Sequence, residues 1–401
     1  MEPPLAKPPS LLGKVLLLSG LYFAQGLPFG FFTQTLPVVL REQGVSLERI
    51  GFSSLLALPW ALKFLIGPLV DGSGSGRWGR RRSWILPLQA ASIALMVWLS
   101  FCPPELSLAP LLVAVFLANL VAATQDVAAD GLAVEVLSER ERGLGNGLQV
   151  AAYRAGMILG GGVILASLET IGWAMACRLM ALGLFLASLP VLRHQEPALP
   201  PDRGERHSLK GSVAALGVGW LLLLGAFKAG DALASPMLRP LLVDLGHDKT
   251  AIGWLLGLGG FSTGMLGALV GGWLAGRSRR RALILGSALQ VAGLLGYALV
   301  TLGPTWNLLV AASLFEHFAG GVAMVALFTI MMDVCREGHE ATDYTLQACA
   351  VVLTGGLASA LSGVVAEQIG YGWLFAAGAI LAALGALLTV RALPAPPPRA
   401  L

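Results

Sequence analysis

The sequence predicts an all-α integral membrane protein of twelve helices arranged as two pseudo-symmetric six-helix halves, and three observations carry that prediction. Of 401 residues, 56% are hydrophobic and only 12% are charged, roughly half the charged fraction of an ordinary globular domain. Apolar stretches of about twenty residues, each enough to cross a hydrocarbon core, recur along the whole chain. Features of the first half then return about 200 residues later, as expected of a duplicated six-span unit.

The predicted spans are 14–40, 47–71, 83–102, 108–136, 145–168, 171–192, 212–237, 249–275, 282–302, 305–334, 341–367 and 370–392. The first follows a polar, Pro-rich stretch, Met1 to Ser10, and has no A-x-A-like cleavage site, so it reads as an uncleaved span rather than a signal peptide. Glycine is abundant, 51 residues scattered through the apolar runs, where small residues let helices approach closely. With both termini on the cytoplasmic side, 19 of the 27 Lys and Arg residues fall in cytoplasmic segments and four (Arg41, Arg49, Arg239, Lys249) in outer loops. Positive charge fixes topology, so this orientation is the expected one. The longest polar connector, Arg193 to Lys210, is rich in Pro and charge and marks a linker. The expected organisation is therefore an N-terminal bundle over 1–192, a cytoplasmic linker over 193–211 and a C-terminal bundle over 212–401.

The repeat is visible in two places. Gly44 to Gly51 (GVSLERIG) and Gly246 to Gly253 (GHDKTAIG) join corresponding spans. Leu69-Val70, Gly72 and Arg80-Arg81-Arg82 return as Leu269-Val270, Gly271 and Arg279-Arg280-Arg281. Halves related in this way rock about a site near the bilayer midplane.

The segment Asp71 to Arg82 (DGSGSGRWGRRR) resembles the loop motif of the major facilitator superfamily. In that motif an acidic residue, glycines and a basic cluster join the second and third spans. Leu58 to Asp71 (LPWALKFLIGPLVD), Thr124 to Asp130 (TQDVAAD), Glu141 to Gly147 (ERGLGNG), Tyr153 to Met157 (YRAGM), Phe227 to Ala232 (FKAGDA) and Thr342 to Leu346 (TDYTL) together resemble the branch that holds the AmpG-type muropeptide permeases and the acetyl-CoA transporters. The resemblance implies the twelve-helix major facilitator fold and, for the AmpG type, proton-linked import of anhydromuropeptides across an inner membrane. It also makes Asp71, Arg80 and Arg81 a gating loop. The pattern is broken at Leu132 and Ala133, where AmpG-type members often carry an aromatic and then a basic residue. The substrate therefore stays open among a muropeptide-like solute, another organic anion, an acyl-CoA and a drug-like molecule.

Ionisable groups inside spans are costly to bury, a few kcal/mol each at the bilayer centre on insertion scales, and so mark function. Asp126 and Asp130 lie four residues apart on one helix face, about 9 to 15 Å from the cytoplasmic end of their span. Arg154 sits at comparable depth in the next span, so an ion pair between it and either carboxylate is geometrically open across adjacent antiparallel helices. Two neighbouring carboxylates resist joint ionisation, and proton exchange at Asp126 or Asp130 in competition with Arg154 is one reading. A static interhelical brace is the other. Lys228 and Asp231, three residues apart, either neutralise one another or line a substrate path exposed by Gly230 and Pro236. Lys63 shares a face with Gly67 and Asp71 and either snorkels or meets an anionic solute. Glu316 has no adjacent cation and is expected to face a wet cavity; His317 beside it either titrates or packs.

Gln25, Gln34, Gln125, Tyr153, Tyr344 and Gln347 add uncharged hydrogen-bonding groups suited to a polar, amide-rich ligand. Cys102, Cys177, Cys335 and Cys349 lack metal-ligand or CxxC spacing, so no metal site or redox chemistry is expected. No G-x-x-x-x-G-K-[ST] cradle occurs, which argues against an ATP-driven pump. No nucleophile adjoins the carboxylates, which argues against an enzyme. The expected partners are a small-molecule solute, protons and lipid; no cofactor, no nucleic acid and no second subunit are needed.

Overall fold

The computed structural model describes residues 10–43, 56, 58–75, 78–103, 108–196 and 207–393. The Pro-rich amino terminus, the Gly44 to Gly51 copy of the repeat, Arg77, linker residues 197–206 and the tail from 394 lie outside the described residues.

The apolar runs form helices close to where the sequence puts them. They are α1 (Leu11–Arg41), α2 (described from 58 to 72), α3 (Arg82–Leu99), α4 (Leu108–Val136), α5 (139–171), α6 (173–193), α7 (Val218–Asp244), α8 (Thr250–Arg277), α9 (Arg279–Val300), α10 (Trp306–Val334), α11 (340–369) and α12 (371–392). Three departures have local causes. α2 is broken into Leu58–Leu62, a 3₁₀ turn at Lys63–Leu65 and Gly67–Gly72, because Pro68 has no N–H and ends any helix arriving from before it. The seventh span begins at Val218 and not near 212, since Gly217 at φ 80° separates it from a short helix, Leu209–Leu216. It also runs seven residues beyond the expected end, through a 3₁₀ turn at Ser235–Met237, to Asp244.

α5 and α6 are contiguous except for one non-helical residue, Gly172 at φ 75°, ψ 163°; α11 and α12 are parted in the same way by Gly370 at φ 78°, ψ 163°. Contacts show that the chain reverses at each. Glu141, Tyr153 and Gly160 meet Lys14, Gly26 and Thr35 of α1 in that order, so α5 runs parallel to α1. Trp173 then bonds Leu99, and Val191 receives Arg82, so α6 runs back along α3. Thr354 and Ser359 meet Gly225 and Ala232 of α7, while Tyr371 and Thr389 meet Asp244 and Leu223.

α1 and α5 touch backbone to backbone: a methyl on Gly26 would strike the Tyr153 carbonyl, and one on Gly156 would lie 2.6 Å from the Phe23 carbonyl. Lipid tails are as apolar as leucine, so such close approach, and not water exclusion, holds neighbouring spans together. Large apolar side chains such as Leu222, Leu357 and Trp373 point outward, as they do when the solvent is hydrocarbon.

The described residues pack as two compact units. One comprises the chain to Ala215 with Met331–Cys349; the other comprises Leu216–Ile330 with the chain from Ala350. The first unit thus contains the whole hairpin between α10 and α11.

Candidate functional site

The first unit buries a charged cluster among α1, α2, α4 and α5. Lys63 is 6% exposed and forms an ion pair with Asp126 Oδ2. Lys63 opens the 3₁₀ turn at Lys63–Leu65 and stays on the buried face of α2 with Gly67 and Asp71, while Leu62, Leu65 and Leu69 face outward. Its ammonium also lies over the Trp60 ring, 5.6 Å from the centroid, at cation–π distance. Trp60 Nε1 donates to Asn119 Oδ1 at 3.0 Å. One turn along α4, Asp130 Oδ1 accepts from Tyr22 Oη at 2.8 Å and from Gln149 Nε2 at 3.5 Å. Tyr153 of α5 and Trp60 both pack on Phe29, at 5.8 and 5.7 Å between ring centroids. Gln25 lies between Tyr22 and Phe29 on the same face of α1. It is 1% exposed, and neither amide atom has a hydrogen-bond partner among the described residues.

The cation that the structure places on Asp126 is Lys63. Arg154 follows Tyr153 on α5 and is half-buried with contacts of its own. Lys63 does not snorkel: it keeps the face it shares with Gly67 and Asp71, and its ammonium is buried against Asp126.

At the end of these helices that carries the arginine loop, Asp71, Arg80 and Arg81 come together with Glu135 and Glu340. Arg81 is fully buried. Its Nη2 donates to Asp71 Oδ1 at 2.7 Å and its Nε to Glu135 Oε1 at 2.8 Å, and Glu340 Oε2 lies 3.3 Å away. Arg80 Nη2 bridges Glu135 and Glu340 at 2.5 and 3.1 Å. Asp71 Oδ2 accepts from the N–H and hydroxyl of Thr342 at 2.7 and 2.5 Å, and Oδ1 accepts from the Ala341 N–H at 3.2 Å. A carboxylate there meets the free N–H groups at the start of α11. Glu196 does the same for α3, accepting from the Arg81 and Arg82 N–H groups at 2.9 and 2.6 Å. In the second half Gly271 follows Leu269-Val270, where Asp71 follows Leu69-Val70, and Arg279 Nη1 donates to the Ala275 carbonyl at 2.6 Å. The repeat kept the arginines and not the acid.

The second unit holds its own buried cluster. Lys228 and Asp231 form the intrahelical pair that their spacing suggests. Asp231 Oδ1 also accepts from Ser235 Oγ at 2.8 Å and from Gln290 Nε2 at 3.2 Å. Glu316, 5% exposed, accepts from Gln290 Nε2 at 2.8 Å and from Tyr297 Oη at 3.1 Å. A small cavity is lined by Lys228, Asp231 and Gln290 with Phe227, Met324 and Phe328. Glu316 is not in that lining; it sits behind Asp231, hydrogen-bonded.

The remaining predicted residues fall elsewhere. Gln34 packs against Gly161, at the far end of α1 from Lys14. Gln125 is buried beside Asp126 in sequence, about 100° around the helix. Tyr344 is buried in the first unit; Gln347 Nε2 donates to the Met331 and Asp343 carbonyls, both at 3.1 Å. Gln149, Trp60, Asn119, Ser235, Gln290 and Tyr297 join the clusters without having been singled out. An inventory of neutral polar side chains deep in the spans, kept beside that of charges, would have exposed the two glutamines.

Membrane-crossing helices with an ion pair and satisfied carboxylates buried in each of two units define a polytopic transport protein. Two family models match the chain: Major Facilitator Superfamily over residues 220–401, and Acetyl-coenzyme A transporter 1 over residues 14–108. An uncharacterised protein of Haemophilus influenzae is 30% identical over 384 residues, covering 89% of each chain. The anhydromuropeptide permease of Escherichia coli K12 is 29% identical over 390 residues, covering 94% of this chain and 79% of that one. Among solved structures, the FucP transporter in its outward conformation superposes with a TM-score of 0.73 at 16% identity, covering 94% of this chain and 97% of that one. The human organic anion transporter MFSD10 gives a TM-score of 0.73 at 16% identity, covering 95% and 100%. The chain belongs to the major facilitator superfamily, in the branch of the AmpG-type permeases and acetyl-CoA transporters. It is a multi-pass membrane transporter and not an enzyme.

Proposed function

We propose that the protein is a proton-coupled importer of a muropeptide-like, sugar-peptide solute, working by alternating access in an inner membrane with both termini cytoplasmic. The similarity to the Escherichia coli anhydromuropeptide permease over 94% of this chain supports the solute class. The observation that carries the coupling is the cluster in which one cation, Lys63, stands against two carboxylates, Asp126 and Asp130, inside the helices. Such a set is neutral only with one proton bound. Protonating Asp126 frees Lys63 for an anionic group of the solute, and return of Lys63 expels the proton. Tyr22, Gln25, Tyr153 and Trp60 line the same face and supply hydrogen bonds and ring surfaces for a sugar or peptide. Lys228, Asp231 and Gln290 line the cavity of the second unit and are read as solute-contacting groups of that unit.

The Asp71, Arg80, Arg81, Glu135 and Glu340 network supports a gating role, since it ties the α10–α11 hairpin to the ends of α2, α3 and α4. The carrier is read as two bundles, 1–192 and 212–401, joined by the 193–211 linker. Asp126→Asn and Asp130→Asn in proteoliposomes test the coupling. The proposal expects at least one to lose stimulation by a pH gradient; retention of full stimulation by both contradicts it. A carrier of acyl-CoA is the second reading, favoured by the acetyl-coenzyme A transporter match over residues 14–108, and competition of uptake by acetyl-CoA distinguishes it.

A further inference from the structure

We propose that Glu316 in the second unit is a proton-binding site, filled from the cavity through Asp231 and Ser235. The inference extends the coupling proposed above, which placed the proton on Asp126 or Asp130. It rests on a count of hydrogens. Ser235 Oγ lies 2.8 Å from Asp231 Oδ1 and 3.2 Å from Glu316 Oε1. A serine hydroxyl has one hydrogen to give and two lone pairs. If both carboxylates were ionised, one of these contacts would set an oxygen lone pair against an anionic oxygen. Two hydrogens are needed, and the second belongs to a protonated carboxyl.

Asp231 is not the carrier in this conformation, because its Oδ2 is held by the Lys228 ammonium. Among the described residues no Lys or Arg forms an ion pair with Glu316, and the one ionisable base within ion-pair distance is His317. The groups that face it are Ser235 and the Lys228–Asp231 pair from α7, Gln290 and Tyr297 from α9, and His317 from α10; α8 reaches this level with Gly260, against the His317 ring. His317 Nδ1 lies 2.8 Å from the Ser313 carbonyl and 3.3 Å from Glu316 Oε2. A carbonyl only accepts, so Nδ1 carries a hydrogen directed at Ser313, and the longer contact to Glu316 is an ion pair only when the imidazole is protonated. Gln290 Nε2 spends its two hydrogens on Asp231 and Glu316.

The same geometry supplies a route. Asp231 lines the cavity and Glu316 does not. When Asp231 takes a proton from the cavity, its carboxyl O–H donates to Ser235 Oγ while the Ser235 O–H passes its hydrogen to the Glu316 carboxylate. One O–H bond breaks and one forms at the serine. Asp231 returns to the carboxylate and to Lys228, and Glu316 ends as the neutral acid.

Infrared difference spectroscopy on the purified full-length protein in detergent tests this without any solute. The wild type should show a protonated-carboxyl C=O band at neutral pH that is absent in Glu316→Gln and shifted in Ser235→Ala. Identical carboxyl absorption in wild type and Glu316→Gln between about pH 5 and 9 overturns the site. An unshifted band in Ser235→Ala overturns the bridge, and that arm stands even where Glu316→Gln fails to fold. In proteoliposomes, with labelled anhydromuropeptide as the probe, Glu316→Gln should move one proton fewer per solute in reversal-potential measurements, and an unchanged ratio also contradicts the site. A wild type that shows the band and does not transport the probe refutes the solute assignment and leaves the proton site in place.

Discussion

Lys63 and Asp126 test the account at the scale of single residues. Removing one member of a buried ion pair leaves an uncompensated charge, at a cost of about 3–5 kcal/mol, whereas replacing both by apolar or neutral groups is often close to neutral. Lys63→Met is therefore expected to lower the unfolding temperature in detergent sharply, and Lys63→Met with Asp126→Asn to recover most of it. Equal destabilisation by single and double variants would show that the pair carries no coupling. The importance of both residues was legible in the sequence, because charges inside apolar spans are few and each asks for a reason. Their pairing was not. The i+4 spacing put Lys63 on the face of Gly67 and Asp71, and the structure buries all three there; which carboxylate of another helix meets that face depends on how α2 packs on α4, and no spacing along one segment encodes that. The cluster of Asp231, Ser235, Gln290 and Glu316 escaped in part for the same reason: its members come from three helices, and nothing along one chain segment brings Gln290 to Glu316.

At the scale of elements, the spans were readable nearly to the residue where an apolar run is long, as in Leu108–Val136 and Trp306–Val334. The breaks were less readable. Gly172 and Gly370 reverse the chain at φ near +75° with extended ψ, a region open in practice only to glycine. Each sits in a repeated Glu-x-Ile-Gly-aromatic sequence, Glu169 to Trp173 and Glu367 to Tyr371. That local repeat is the signal which could have placed both turns. Gly172→Ala and Gly370→Ala should each cost about 1–3 kcal/mol, read as a fall in melting temperature, although neither position meets a neighbouring side chain; an unchanged melting temperature would remove the strain argument.

Glu196, which accepts from the start of α3, gives a pH-dependent counterpart. Burial raises its carboxyl above the ordinary 4.5, against the lowering effect of the Arg81 and Arg82 N–H groups. A raised value in the folded state means that the fold prefers the proton bound; the contribution is complete below pH 4.5 and is lost as pH climbs through the folded value. Glu196→Gln, which cannot ionise, should therefore gain on the wild type as pH rises from about 4 to 7. A stability difference that is flat over that range contradicts the burial argument.

For the whole molecule, composition and the 200-residue repeat made the twelve-helix carrier fold legible, because a bilayer admits few ways to satisfy backbone hydrogen bonds. The solute is a different kind of information. It lies in the placement of a few polar atoms, such as the Gln25 amide between Tyr22 and Phe29, which has no hydrogen-bond partner among the described residues, and no spacing rule encodes that placement. Gln25→Leu should leave folding intact and raise the KM of solute uptake several-fold, since a lost amide–solute hydrogen bond costs about 1 kcal/mol or more; an unchanged KM would place the solute elsewhere. The most direct test of the central claim is uptake of labelled anhydromuropeptide by proteoliposomes holding the purified protein under an imposed pH gradient. The account predicts saturable uptake that the gradient stimulates and that collapses when the gradient is dissipated; saturable uptake that ignores the gradient, or no uptake at all, would contradict it.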